Sequence, residues 1–89
     1  MRLPELGMIV VSRDAGGSEI TEVVPGSIAD LAGLRVGDVV VEIDGKPVRT
    51  PTELAAELSQ RAPGSKVKVG FLARGYWKTE TVLILAEQR

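Results

Sequence analysis

The sequence predicts a small α+β domain: a partly open β-barrel or sandwich of five to six strands, capped by one short and one longer α-helix. Three observations lead there. Ten Gly and five Pro in 89 residues cut the chain into short apolar runs separated by turns. The runs read strand, strand, short helix, strand, short strand, long helix, strand, strand, without the βαβ alternation of a doubly wound parallel sheet. And 44% hydrophobic residues with one Phe, one Tyr and one Trp require an aliphatic core. Residues 1–89 make room for one domain, and a chain of this length buries roughly 60–65% of its unfolded surface.

Leu6 to Ser12 reads as the first strand and Asp14-Ala15-Gly16-Gly17 as a turn cluster. Ser18 to Val24 alternates polar and apolar residues and forms the second strand. Ser27 is placed to N-cap a short helix from Ile28 to Ala32, with Gly33 where helices end in the left-handed conformation. Val39 to Ile43 carries three consecutive Val, as expected of a strand covered on both faces. Asp44-Gly45 is the strongest hairpin signal, and Pro47 places the short return strand Lys46 to Val48 at an edge. Thr50, Pro51 and Glu53 give an N-cap, a first-turn proline and a capping-box partner for a helix running to about Arg61. Lys66 to Ala73 and Trp77 to Leu85 close the chain as two strands joined at Arg74-Gly75.

Composition narrows function. Eleven basic and twelve acidic residues are scattered, so no clustered positive face favours nucleic acid. The longest uninterrupted apolar run, Val82 to Ala86, is far short of the ~20 residues that span a bilayer. With no His and no Cys, the chain lacks Ser–His and Cys–His nucleophilic pairs and the usual zinc ligands, which argues against an enzyme. Asp38 reads as a turn residue bonding the backbone, and Glu42 and Asp44 as a solvated edge rather than a hard-metal site. No cofactor is expected.

The stretch Val23 to Val48, VVPGSIADLAGLRVGDVVVEIDGKPV, resembles a bacterial PDZ domain. Pro25-Gly26-Ser27, Ala32-Gly33-Leu34, Val36-Gly37-Asp38 and Ile43-Asp44-Gly45-Lys46-Pro47-Val48 come in that family's order and spacing. The resemblance continues through the longer helix, Pro63-Gly64 and the final hairpin. Its strand order is similar to the circularly permuted form of high-temperature-requirement (HtrA/Deg-type) serine proteases, tail-specific proteases and site-2 metalloproteases. It implies a PDZ-like fold, a non-catalytic fragment of a larger bacterial protease, and a place in the periplasm or cell envelope. It also implies a module, monomeric in isolation, that binds hydrophobic C-terminal or extended peptides by strand addition. The alternative is an interdomain spacer whose groove is filled by its own parent chain.

The resemblance assigns site residues in two places. Leu6-Gly7-Met8 matches a carboxylate-binding loop, with Gly7 leaving space for a carboxylate against the backbone amides. Leu6, Met8 and Val10 are expected to line the pocket for the ligand's last side chain, and Met8 to Val11, Ile9 included, to offer a free strand edge. On the helix, Leu58 is expected at the deep end of the pocket, Ala55 and Ser59 along the groove wall, and Leu54 in the core. The helix begins Pro51-Thr52 rather than with His, which points to an apolar preference two residues before the ligand's end. Glu5 stands where the family's eukaryotic pattern carries its first Gly, and Arg2 is expected to be solvated, with pairing to Glu5 or to a ligand carboxylate as its other roles.

Overall fold

In the computed structural model, which describes residues 1–87, the chain forms seven strands and two helices. In order these are β1 (Arg2–Leu3), β2 (Met8–Ser12), β3 (Ser18–Val23), α1 (Ile28–Leu31), β4 (Val39–Ile43), β5 (Lys46–Pro47), α2 (Pro51–Ser59), β6 (Lys66–Ala73) and β7 (Trp77–Ile84). One sheet runs β1-β2-β3-β4-β6-β7, with β5 paired to β4, and every pairing is antiparallel. The expected fold class is therefore present. The one strand beyond the six expected is the two-residue β1, which had no counterpart because so short a segment shows no periodicity; β5, also two residues long, is the expected edge strand.

Local chemistry explains the element ends. The Ser27 hydroxyl accepts the Asp30 amide at 3.2 Å and starts α1; Gly33, at φ +86°, follows its end. The Thr50 hydroxyl accepts the Glu53 amide at 3.1 Å and starts α2, while the Glu53 carboxylate accepts the Arg49 amide at 2.9 Å, one residue before the capping-box position. Asp44 (φ 51°) and Gly45 (φ 81°) make the tight turn between β4 and β5 with both residues left-handed. Asp38 does what its turn position predicts: its carboxylate accepts the amides of Arg35 at 2.9 Å and Arg74 at 3.0 Å, tying two loops that lie far apart in sequence.

The core is aliphatic. Val10, Ile20, Leu34, Val40, Ile43, Val48, Leu54, Val67, Val69 and Leu83 are buried, with Phe71 the single ring among them. Leu54 fixes one stripe of α2 onto the sheet, which leaves the neighbouring stripe to face outward. Trp77, at the start of β7, is 64% exposed and packs edge-to-face on Tyr76 at 6.2 Å. One expectation needs correction. Glu42 and Asp44 are not merely solvated. Glu42 accepts Lys78 Nζ at 2.9 Å, and Asp44 accepts the Lys68 amide and Arg61 Nε at 2.9 and 2.8 Å.

Candidate functional site

The site starts from two peptide planes. At Leu6 and Gly7 the carbonyls turn back toward α1: Leu6 O accepts the Ala29 amide at 2.9 Å and Gly7 O accepts the Val24 amide at 2.8 Å. The amides of the same two residues turn the other way, and both bond Leu3 O, at 3.0 Å from Leu6 and 2.9 Å from Gly7. The two successive amides, with Gly7 N also reaching Pro4 O at 3.2 Å, form a main-chain cradle around one carbonyl oxygen. Gly7 holds this geometry at φ +76°, and a Cβ there would lie 2.2 Å from Ser27 Cβ. α1 packing behind the loop and the left-handed φ thus already require a glycine here, independently of any ligand in front of it.

β2 continues from the cradle. Its inner edge pairs with β3, with Met8 opposite Val23 and Val10 opposite Ile20. Its outer edge, expected to be free, pairs with β1: Leu3 lies opposite Met8 and Arg2 opposite Ile9. Met1 and Val10 extend this ladder by exchanging both backbone hydrogen bonds, 2.9 Å from Val10 N to Met1 O and 2.7 Å from Met1 N to Val10 O. The edge is filled because Pro4 to Gly7 turns the chain tightly enough to fold the preceding residues back onto β2, a hairpin that the sequence does not announce.

α2 forms the opposite wall. Between it and the cradle lies a cavity of about 580 Å³, lined among others by Leu3, Glu5, Leu6, Ile28, Ala55, Leu58 and Ser59. Leu58 is half-buried and packs against the core, while Leu54, one turn earlier, is fully buried, so the two leucines divide as expected. Four of the expected site residues, Leu6, Ala55, Leu58 and Ser59, therefore share one cavity. Gly7, Met8 and Ile9 instead border a smaller depression of about 260 Å³ with Arg2, Glu22 and Val24. Met8 (3% exposed) and Val10 (0%) belong to the core and do not line the larger cavity, because the inward face of β2 is the face the sheet buries. Leu3 and Ile28 were missed. Each is a lone apolar residue beside a Pro or a cap, where no pattern marks it.

Charged side chains brace the wall. Glu57 accepts Lys46 Nζ at 2.8 Å, and Arg61 reaches Asp44 at 2.8 Å and the Glu57 main-chain carbonyl at 2.9 Å. These contacts tie the C-terminal half of α2 to the β4–β5 turn. The Lys68 amide, then Arg61, hold Asp44 below its ordinary carboxylate range, and the Lys46 hydrogen bond does the same for Glu57. Arg2 and Glu5 are both exposed and, among the described residues, form no ion pair with each other.

The family profile of the PDZ domain matches residues 19–71, more than half the chain. The chain belongs to the PDZ domain family. Over 59 residues, 66% of the chain, this PDZ domain is 39% identical to the periplasmic pH-dependent serine endoprotease DegQ of Escherichia coli K12 and covers 13% of it. It is 41% identical to the magnetosome formation protease MamE of Magnetospirillum gryphiswaldense over the same share of the chain, and covers 8% of that protein. In fold it is similar to the HtrA3 PDZ domain solved with a phage-derived ligand, FGRWV (TM-score 0.74, 19% identity, 89% of this chain and 81% of that one). It is likewise similar to the HtrA-type protease AlgW solved with a decapeptide (TM-score 0.80, 20% identity, 94% of this chain and 29% of that one). The chain thus spans about a tenth of the curated relatives named here.

Proposed function

We propose that this PDZ domain captures a hydrophobic protein C-terminus in extended form, added as a strand along β2, and serves as a substrate-recognition or regulatory module of a larger bacterial envelope protease. The observation that carries this reading is the cradle: two amides of a braced loop converge on one oxygen at 2.9 and 3.0 Å, beside an apolar cavity walled by α2. A terminal carboxylate suits such a cradle better than a carbonyl, because each charge-assisted hydrogen bond contributes roughly 1.5–3 kcal/mol before desolvation is offset. The ligand's last side chain would enter the cavity at its apolar residues Leu6, Ala55 and Leu58; Glu5 and Arg61 are the charged members of the same lining. The similarity to the periplasmic endoprotease DegQ and to the ligand-bound HtrA3 PDZ domain supports the envelope and peptide parts of the reading.

The experiment is a titration of the chain with a labelled six-residue peptide ending in Val, as free acid and as amide. The free acid is expected to bind at least about tenfold more tightly. Equal affinity for both forms would remove the carboxylate from the reading. A second reading is favoured by one observation, the pairing of β1 with the edge of β2: a spacer domain whose groove is permanently filled. The two readings part on whether β1 leaves β2 when a peptide is present.

A further inference from the structure

The oxygen held in the cradle belongs to the chain itself. Leu3 O receives the Leu6 and Gly7 amides, Leu3 lies opposite Met8, and Met1 exchanges two hydrogen bonds with Val10. Leu3 also lines the cavity shared with Leu6, Ala55 and Leu58. Three consecutive residues therefore present, in one direction, what an added peptide would present: an antiparallel strand on β2, an apolar side chain at the cavity and an oxygen in the cradle. We infer that Met1–Leu3 is a built-in pseudo-ligand that closes the groove and must be displaced before a peptide enters. This inference rests on the proposed reading of the groove as a peptide site.

The segment can be outcompeted. A peptide places a charged carboxylate where Leu3 offers a neutral carbonyl. Met1 and Arg2 are exposed, so little packing is lost when they leave. The consequence is a threshold. Apparent affinity equals intrinsic affinity reduced by the fraction of molecules whose groove is open, so neutral-ended peptides are rejected while carboxylate-ended ones bind.

A reversible lock tests this. Met1 and Val10 form a doubly bonded pair, so Arg2 and Ile9 form the next, non-bonded pair. In such pairs the Cα atoms lie about 4.5 Å apart, within disulfide range. The chain has no Cys of its own, so Arg2→Cys with Ile9→Cys introduces a single crosslink. Oxidised, the double variant is expected to bind the labelled Val-ended free-acid peptide at least about 100-fold more weakly than the same protein reduced, whereas Leu3→Glu is expected to bind about tenfold more tightly than the parent chain. Equal binding by the oxidised and reduced forms overturns the inference. Amide exchange without peptide decides the pairing independently: Val10 is expected to be protected in the parent chain and to exchange faster in Leu3→Glu and in the milder Leu3→Ala. An unprotected Val10 in the folded parent chain overturns the inference as well. Should no form bind peptide, Leu3→Glu and reduced protein included, peptide capture is what fails, and Val10 exchange alone decides whether Met1–Leu3 holds the edge.

Discussion

The stretch Val23–Val48 and the stretch Leu3–Val10 divide the work of this PDZ domain differently. The first is dense in residues whose side chains, or lack of them, the backbone demands: Gly33 behind a helix, Asp38 gathering two loop amides, Asp44 and Gly45 in a left-handed turn. The second uses main-chain amides and generic aliphatic side chains, and the family profile, matching residues 19–71, begins after it. The difference teaches that a fold is most recognisable where geometry is least forgiving of substitution. A site that binds through backbone groups leaves a fainter trace, because many residues supply the same N–H. The two stretches still depend on each other, since Val24 and Ala29 hold the carbonyls of Gly7 and Leu6 in place.

The largest test of that division is Leu34→Ala. Leu34 is 1% exposed in the first stretch, so the variant is expected to lose about 3 kcal/mol in urea unfolding. Peptide binding should survive wherever the variant stays folded; loss of binding at full folding would break the division. Asp38→Asn follows, with an expected loss of about 2 kcal/mol, because the amide side chain cannot accept both the Arg35 and Arg74 N–H groups with oxygen. A glycine pair sharpens the dependence between the stretches. Gly26 (φ +79°) and Gly7 (φ +76°) are both left-handed, but a Cβ at Gly26 would meet nothing beyond its chain neighbours, whereas one at Gly7 would lie 2.2 Å from Ser27 Cβ. Gly26→Ala should cost about 1 kcal/mol, and Gly7→Ala clearly more by thermal unfolding. Equal costs would mean that Ser27 yields freely.

Leu58→Lys inverts the pattern. It should abolish peptide binding while changing stability by no more than about 1 kcal/mol, since Leu58 is half-buried at the cavity. Global unfolding would make Leu58 core. The smallest effect is acid sensitivity. Asp44 and Glu57 titrate below their ordinary values of 3.8 and 4.5, so their contribution is complete above those values and is lost as the pH falls through the lowered ones. Melting at pH 3 against pH 6 should show a modest decrease, smaller in the Asp44→Asn, Glu57→Gln double variant; an unchanged slope there would assign the acid sensitivity to other carboxylates.

Much of this fold could be read from the chain because its punctuation is chemical. Ser27 and Thr50 had to cap helices, Asp44-Gly45 had to turn, and Pro47 had to sit at an edge; each does. The longer helix stops at Ser59, two residues before the expected end, since nothing local distinguishes a last helical turn from the Gln60 cap. For the site, periodicity places Leu54 and Leu58 on one face of α2, and it is the sheet beneath α2 that separates them. Met8 and Val10 alternate as expected, but alternation cannot say whether an inward face meets a groove or the core. β1 was illegible because two residues show no periodicity and its turn is closed by main-chain bonds from Leu6 and Gly7 to Leu3, which many residue types could supply.

The exposed position of Trp77 has a spectroscopic consequence. The lone indole is 64% open to water in the folded chain and touches a neighbouring ring, not the interior. Its emission should therefore lie close to that of hydrated tryptophan and shift little on denaturation, so fluorescence would report the β6–β7 hairpin and leave global unfolding to circular dichroism. A tryptophan carried by a peptide into the apolar cavity would shift to the blue against that steady background.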